Sequence, residues 1–171
     1  MSKEVLTSVN KEHLDNILDG RKTVEWRKKP LPLGKHYGYE TKNKCGCGKV
    51  TGEFEVVENI KVDLFDIVCN DEKDLIKKGC VDWGFLNKYA GLERSYLYAN
   101  VIENAKRYDK PKELSEFYLQ CEEYGKTGTV DIPKKCKKCR YQYTWNLASK
   151  CRIDGLKPIT KPPQSWCYVE V

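Results

Sequence analysis

A short polar run near the start of the chain carries four side chains that could do chemistry together. Residues 20–27 read GRKTVEWR, and strand alternation places Thr23, Glu25 and Arg27 on one face, with Lys22 at its entry. A guanidinium keeps a neighbouring carboxylate ionised and is oriented by it. A desolvated lysine can act as a base or nucleophile. The alternative is an ordinary solvent face with surface ion pairs.

A second polar run lies near the other end, where residues 161–166 read KPPQSW. The two prolines stiffen the entry to a final strand. Gln164 and Ser165 offer donors and acceptors to a polar ligand, and Trp166 offers either a stacking ring or a core residue. We expect Gln164 and Ser165 to border a binding site and Trp166 to pack in the core.

Nine cysteines, an odd number, favour free thiols or metal ligands over a disulfide framework in a chain without a visible secretion signal. Cys136 and Cys139 are two residues apart and Cys151 follows, which suits three of the four ligands of a zinc ion. The candidates for the fourth ligand are Cys121, Cys45 and Cys47. Reduced thiols in a loop are the alternative, and zinc is the only cofactor that the sequence suggests.

The positive charge is concentrated in one segment. Residues 126–161 hold ten Lys or Arg and two acids, a net +8, within a chain whose net charge is +6. Such a block favours a polyanion such as nucleic acid, and a solvated loop is the alternative. Three aromatic residues, Tyr141, Tyr143 and Trp145, follow the lysines and could stack on bases or pack in a core.

The elements that must position these residues alternate between short strands and short helices. Asn10 is a candidate cap for a helix whose apolar face is Leu14, Ile17 and Leu18, and Gly20 suits its end. The predicted strands are 5–9, 22–27, 36–41, 50–62, 95–108 and 166–171. The other predicted helices are 71–78, a helix from about Asp82, and 110–121. This order predicts an α+β fold with a mostly antiparallel, barrel-like sheet.

The polar run also carries a resemblance. GRKTVEWR matches the Gly-x-Lys-x-x-Glu-x-Arg signature of the ASCH domain, a PUA-like family. KHYGYETK followed by GKVTGEFEV is similar to the paired strands of that family, and KPPQSWCYV to its closing segment. The resemblance covers about residues 5–108 and 156–171. We therefore expect a single domain over 1–171 with a cysteine-rich basic insertion at about 119–155.

The resemblance implies a small mixed or antiparallel β-barrel flanked by short helices, with a cleft that binds RNA or a nucleotide. Lys22, Glu25 and Arg27 would line this cleft, with Gln164 and Ser165 near it. Some members are amidohydrolases of N4-acylated cytidine or ribonucleases, so a hydrolase with catalytic Lys22 and Glu25 is the first alternative. The amidohydrolase members carry threonine where this chain has Glu25. A protein-interaction module that uses the insertion is the second alternative.

The sequence gives no support for several other classes of protein. No apolar run is long enough to span a bilayer, and the first ten residues lack the apolar core of a signal peptide, so we expect a cytoplasmic protein without a membrane partner. The chain has no P-loop and no G-x-S-x-G motif. Of its two histidines, His13 is expected to pack beside the first helix, and His36 has no assigned role.

Overall fold

The computed structural model describes residues 4–64, 72–92, 94–120 and 156–171. The strands are β1 (Glu4–Val9), β2 (Val24–Arg27), β3 (Gly34–Glu40), β4 (Val50–Asp63), β5 (Tyr96–Lys112), β6 (Tyr118–Gln120), β7 (Leu156–Pro158) and β8 (Trp166–Val169). The helices are α1 (Lys11–Leu18), α2 (Glu72–Lys78) and α3 (Trp83–Ala90). Short 3₁₀ turns cover Asn43–Cys45 and Leu114–Glu116.

Six strands form one mixed sheet in the order β2-β5-β4-β3-β1-β8, and β6 and β7 form a second, smaller sheet. The β1–β3 pair is parallel because α1 and β2 carry the chain across between them, and the other pairs are antiparallel. This mixed sheet with short helices confirms the predicted fold class. Within the described part of the chain the sheet is open rather than closed, with β2 and β8 at its two edges.

The helices pack against different parts of the sheet and leave β2 between them. The predicted apolar face of α1 is buried in one cluster with residues such as Phe54 and Ile102. Leu86 and Ala90 of α3 belong to a second cluster, which contains Val24 of β2. Glu25 and Arg27 alternate with Val24 and Trp26 along β2, so their side chains leave the strand on the face opposite to the α3 cluster.

The helix ends agree with the sequence in part. Gly20 has the left-handed φ of +73° expected after α1, and the Asp82 carboxylate accepts the Phe85 N–H at the start of α3. The predicted cap by the Asn10 side chain is wrong. Its Oδ1 instead accepts a hydrogen bond from the Thr41 hydroxyl at 2.9 Å, which ties the start of α1 to the segment after β3.

The predicted helix over 110–121 is also wrong. β5 runs through Pro111 to Lys112, a 3₁₀ turn follows, and β6 begins at Tyr118. Pro111 is tolerated because β2 pairs only with residues 98–101 of β5, so β5 is an edge strand at this point. Phe117 is fully buried against Tyr37, and this packing outweighs the helix propensity of the segment.

The predicted insertion begins and ends at neighbouring positions. Leu119 of β6 pairs with Lys157 of β7, so the chain leaves and returns through two paired strands. Residues 121–155 lie outside the described residues, and with them lie the predicted zinc ligands Cys136, Cys139 and Cys151 and the candidate Cys121. In the described ranges, no helix is long and apolar enough to cross a membrane.

Candidate functional site

The link between α1 and β2 turns Lys22 into the protein. Its backbone N–H bonds to the Asn16 carbonyl at 2.9 Å, and the next N–H bonds to the Lys78 carbonyl at 3.0 Å. The Lys22 side chain is only 2% exposed. Its Nζ donates to the Gly79 carbonyl at 2.6 Å and lies 3.3 Å from Glu25 Oε2. This lysine is therefore held between the end of α2 and β2.

Gly79 permits this arrangement because nothing larger fits at its position. A Cβ on Gly79 would lie 2.4 Å from Trp26 Nε1 and 2.7 Å from Trp26 Cδ1, closer than real Cβ contacts. The glycine thus lets the end of α2 approach the tryptophan of β2 while its carbonyl receives Lys22. Trp26 itself belongs to the core cluster under α3, as its position in the strand alternation predicts.

Glu25 joins the lysine to an arginine. Its Oε1 accepts a hydrogen bond from Arg27 Nε at 2.9 Å, while Oε2 faces Lys22. Arg27 Nη2 donates to the Ser8 carbonyl at 2.9 Å, and the Arg27 side chain is 15% exposed. The buried Asn100 donates to the Glu25 backbone carbonyl at 2.7 Å and so holds this strand in register. The structure therefore brings together the three predicted motif residues.

The charges of this cluster determine its electrostatics. Burial by itself raises the pKa of the Glu25 carboxyl, but the positive charges of Lys22 and Arg27 outweigh burial and leave that pKa below its ordinary value. With Glu25 ionised, the two cations and one anion carry a net charge of +1. Such a site favours an anionic or electron-rich group on a ligand.

His13 of α1 interacts electrostatically with the charges of this cluster, which its sequence context did not predict. Its ring meets the Phe85 ring edge-on at 5.9 Å, and its buried Nδ1 has no hydrogen-bond partner among the described residues. Burial and the nearby Lys22 charge lower the pKa of His13, so the imidazole is neutral near pH 7. The ring also borders a shallow depression of about 240 Å³ at the start of α1. In the sequence, His13 lies beside the apolar face of α1, and this pattern indicates packing and not proximity to charged residues.

The KPPQSW run approaches the cluster through Ser8 of β1. The Ser8 N–H donates to the Ser165 carbonyl at 2.8 Å, and its hydroxyl donates to the Pro163 carbonyl at 2.7 Å. The Ser8 carbonyl in turn accepts from Arg27. Gln164 and Ser165 are exposed. Ser8 links their segment to Arg27, because it hydrogen-bonds to both.

Trp166, which was predicted to lie in the core, and His36, which had no assigned role, both have structural roles. Trp166 is half-buried and packs against the α1 core cluster, as expected. The fully buried His36 lies 2.7 Å from both the Thr7 hydroxyl and the Pro32 carbonyl, so Nε2 donates to the carbonyl and Nδ1 accepts. Burial lowers the pKa of His36 to about 4. His36 is therefore a neutral core residue that holds the loop before β3.

The remaining candidate zinc ligands lie in the turn between β3 and β4. Cys45 and Cys47 are both exposed free thiols, and the Cys47 N–H donates to the Glu40 carboxylate at 2.7 Å. Although Cys47 is exposed, partial desolvation of its thiol raises the thiol pKa, and nearby Glu40 adds to this. No group of three His, Cys, Asp or Glu residues suited to a metal occurs in the ranges that the structure covers. Either cysteine could supply a ligand, and the other predicted ligands, Cys136, Cys139 and Cys151, lie outside the described residues.

Comparisons with known proteins agree with the fold. No protein-family model and no curated protein matches the chain. The solved structure of ASCH from Zymomonas mobilis matches with a TM-score of 0.61 and 18% identity, covering 98% of this chain and 88% of the other. Two point mutants of the Zymomonas mobilis protein match with TM-scores of 0.60, at 17% and 16% identity. They cover 99% and 98% of this chain and 91% and 89% of theirs.

These likenesses extend over nearly the whole chain at low identity, so they show shared architecture. They agree with the resemblance that the signature at residues 20–27 indicates. The chain has the fold of an ASCH domain.

Proposed function

We propose that the chain binds RNA or a nucleotide at the cluster of Lys22, Glu25 and Arg27. The observation that carries the proposal is the state of Arg27. Glu25 and Ser8 each take one of the five N–H donors of its guanidinium, which fixes the plane of the group. The other donors have no hydrogen-bond partner in the described residues, and the side chain remains 15% exposed. An oriented guanidinium with spare donors suits a phosphate or a base carbonyl.

Lys22 and Glu25 would support Arg27 and would not contact the ligand directly. Lys22 is almost fully buried, and both Glu25 oxygens already face cations. Lys22 contributes positive charge and holds Glu25, and Glu25 orients Arg27. Gln164 and Ser165, exposed on the segment that Ser8 holds, would add polar groups at the rim of the site.

Binding is tested by fluorescence anisotropy of a labelled single-stranded RNA at low salt. We expect Arg27→Ala to weaken binding by at least tenfold, the loss usual for one good contact. Arg21→Ala is the matched control, since Arg21 is in the same motif but is 64% exposed and pairs with Asp19. Equal losses in both variants, or no salt-dependent signal for the unaltered protein, would contradict the proposal.

His13 favours hydrolysis as a second candidate function. A neutral imidazole with an unpartnered Nδ1 beside Lys22, Glu25 and Arg27 could accept a proton from water or a hydroxyl. Lys22 and Glu25, predicted as the catalytic residues with Lys22 as base or nucleophile, would in this case stabilise developing negative charge and hold Arg27. Mass spectrometry of N4-acylated cytidines and short RNAs after incubation tests this. Product that disappears in both His13→Gln and Lys22→Ala supports a hydrolase, and no product from the unaltered protein argues against it.

Two predictions depend on residues outside the described ranges and stay predictions. One is zinc held by Cys136, Cys139 and Cys151. The other is the use of about 119–155 as a protein-interaction surface. Because β6 and β7 pair next to each other, a short turn could replace 121–155 without separating the strands. That shortened chain would show whether RNA binding needs the insertion.

A further inference from the structure

The face of the sheet that carries Arg27 continues beyond the cluster. Register places Arg27 of β2 opposite Tyr98 of β5, and Tyr98 opposite Lys61 of β4. Directly opposed residues in antiparallel strands have side chains on the same face, with Cβ atoms about 5 Å apart. Arg27, Tyr98 and Lys61 therefore form one row across three strands.

A second row lies beside the first. Tyr96 is two residues from Tyr98 on β5, so it shares that face about 7 Å away. The Tyr96 ring meets the Tyr98 ring edge-on at 5.9 Å. Lys61 Nζ lies 4.1 Å and the Arg94 guanidinium 5.5 Å from the centre of the Tyr96 ring. We call Arg27, Tyr96, Tyr98, Lys61 and Arg94 the cation–tyrosine face.

This face is not part of the core. Leu97 and Ala99, which alternate with the two tyrosines on β5, are the buried residues and face the α3 cluster. Both tyrosines are half-buried, and Lys61 is exposed. Neither tyrosine belongs to a core cluster of the described residues, so both side chains are partly exposed without a packing role in the core.

Positive charge dominates the surroundings of the face. Arg94 Nη1 donates to the Lys28 carbonyl at 3.0 Å, so it fixes the end of β2 beside the face. Lys28 adds a further cation, whose Nζ lies 5.4 Å from the Tyr89 ring centre. The acid in these rows is Asp63, opposite Tyr96. An extended ligand on this face would therefore meet cations at intervals with aromatic rings between them.

We infer that the cation–tyrosine face binds a single-stranded nucleic acid that continues from the nucleotide at Arg27. The inference rests on the proposed function and extends it from one nucleotide to a strand. Lys61 and Arg94 would contact phosphates, and Tyr98 would stack on a base. Rings between cations suit a strand because every base has a flat face and every step along the backbone carries a negative charge.

The test compares ligand length at low salt. The probes are uridine monophosphate, used as a competitor, and labelled oligouridylates of two, four and eight nucleotides, read by anisotropy. We expect affinity to rise with length, because longer strands reach from Arg27 to Tyr98 and Lys61. Lys61→Ala and Tyr98→Leu should each weaken the eight-nucleotide strand by about tenfold, the size of one lost stacking or phosphate contact.

Two comparisons make the test specific. Lys106→Ala removes the same charge from an exposed position farther along β5 and should leave both probes within twofold. Lys61→Ala and Tyr98→Leu should leave competition by the mononucleotide within twofold, which shows that the Arg27 site is intact. Lys61→Ala should also reduce the salt dependence by about one ion, and Lys106→Ala should not.

The outcomes separate the two proposals. Mononucleotide binding that needs Arg27, with no gain from longer strands or no loss in the two variants, overturns the inference and leaves the proposed function standing. No binding of any probe overturns both. A tenfold loss confined to the longer strands supports the cation–tyrosine face.

Discussion

Replacing Glu25 with glutamine should destabilise the protein far more than an ordinary surface change. The lost carboxylate charge lies 3.3 Å from Lys22 Nζ, and the two side chains are 2% and 7% exposed. At an effective dielectric constant of about 20, that separation corresponds to about 5 kcal/mol of attraction. Lys22 would remain buried with only neutral acceptors, the Gly79 carbonyl and the glutamine amide oxygen. Removing one partner of a buried pair typically costs about 3–5 kcal/mol, and we expect Glu25→Gln to fall in that range.

A double-mutant cycle tests the assignment of this cost to Lys22. Lys22→Met removes the buried cation but leaves Glu25 paired with Arg27 at 2.9 Å, so its cost should be about 1–3 kcal/mol. Lys22→Met/Glu25→Gln leaves no uncompensated buried ammonium. The double variant should therefore lose at least about 1 kcal/mol less than the two single losses together.

The assay is equilibrium unfolding in urea, followed by tryptophan fluorescence, with the slopes compared between variants. Lys11→Met is the matched control. Lys11 pairs with Asp15 at 2.9 Å but is 43% exposed, so it should change the free energy of unfolding by less than about 0.5 kcal/mol. Additive losses, or a Glu25→Gln cost as small as that of Lys11→Met, would refute the view that a buried ion pair organises this site.

Three other predictions follow from single features. Because the pKa of His36 is about 4 in the fold and about 6.5 when unfolded, the unfolded chain binds the extra proton. The free energy of unfolding should fall by up to about 3 kcal/mol as pH drops from 7 to 4. In urea titrations at several pH values, His36→Gln should make the free energy of unfolding less dependent on pH, and an unchanged pH dependence would contradict the prediction. Gly79→Ala should lower the free energy of unfolding by about 1–3 kcal/mol because its methyl group would lie 2.4 Å from Trp26 Nε1. Gly84→Ala, whose methyl group would lie 3.2 Å from one oxygen of the capping Asp82 carboxylate, should change it less. Protein purified without chelator should contain one zinc per chain that is lost in Cys136→Ser; metal-free protein would end the zinc prediction.

The grouping of Lys22, Glu25 and Arg27 was predictable because it depends on local sequence patterns. Helix periodicity, the glycine after α1 and strand alternation over 22–27 together place Glu25 and Arg27 on one face with Lys22 at the entry. The burial of Lys22 was not predictable. It depends on the carbonyl of Gly79, which is 57 residues away and reaches the site through the packing of α2.

The errors have the same origin. Residues 110–121 have the composition of a helix, but the pairing of Lys112 with Val50 and the burial of Phe117 require an extended chain. Asn10 is well placed to cap α1, but its side-chain oxygen accepts a hydrogen bond from the Thr41 hydroxyl and does not cap the helix. His13 is not such an error: it packs edge-on against Phe85, as predicted, and only the electrostatic influence of Lys22 and Glu25 on it is absent from the local sequence. Each error is a long-range contact that overrides a local preference.

The hydrogen bonds of Ser8 affect how the chain can fold while the ribosome is still making it. Ser8 leaves the ribosome 155 residues before its partner Pro163, and the strand β8 that pairs with β1 follows Pro163. β1 can therefore pair with β3 early, whereas its other side stays open until residues 163–169 have been made. A nascent chain could assemble Lys22, Glu25 and Arg27 while the strand that carries Ser8 still has one unpaired side. For that period β1 is an exposed strand edge, the kind of surface that chaperones cover and that pairs wrongly with other chains.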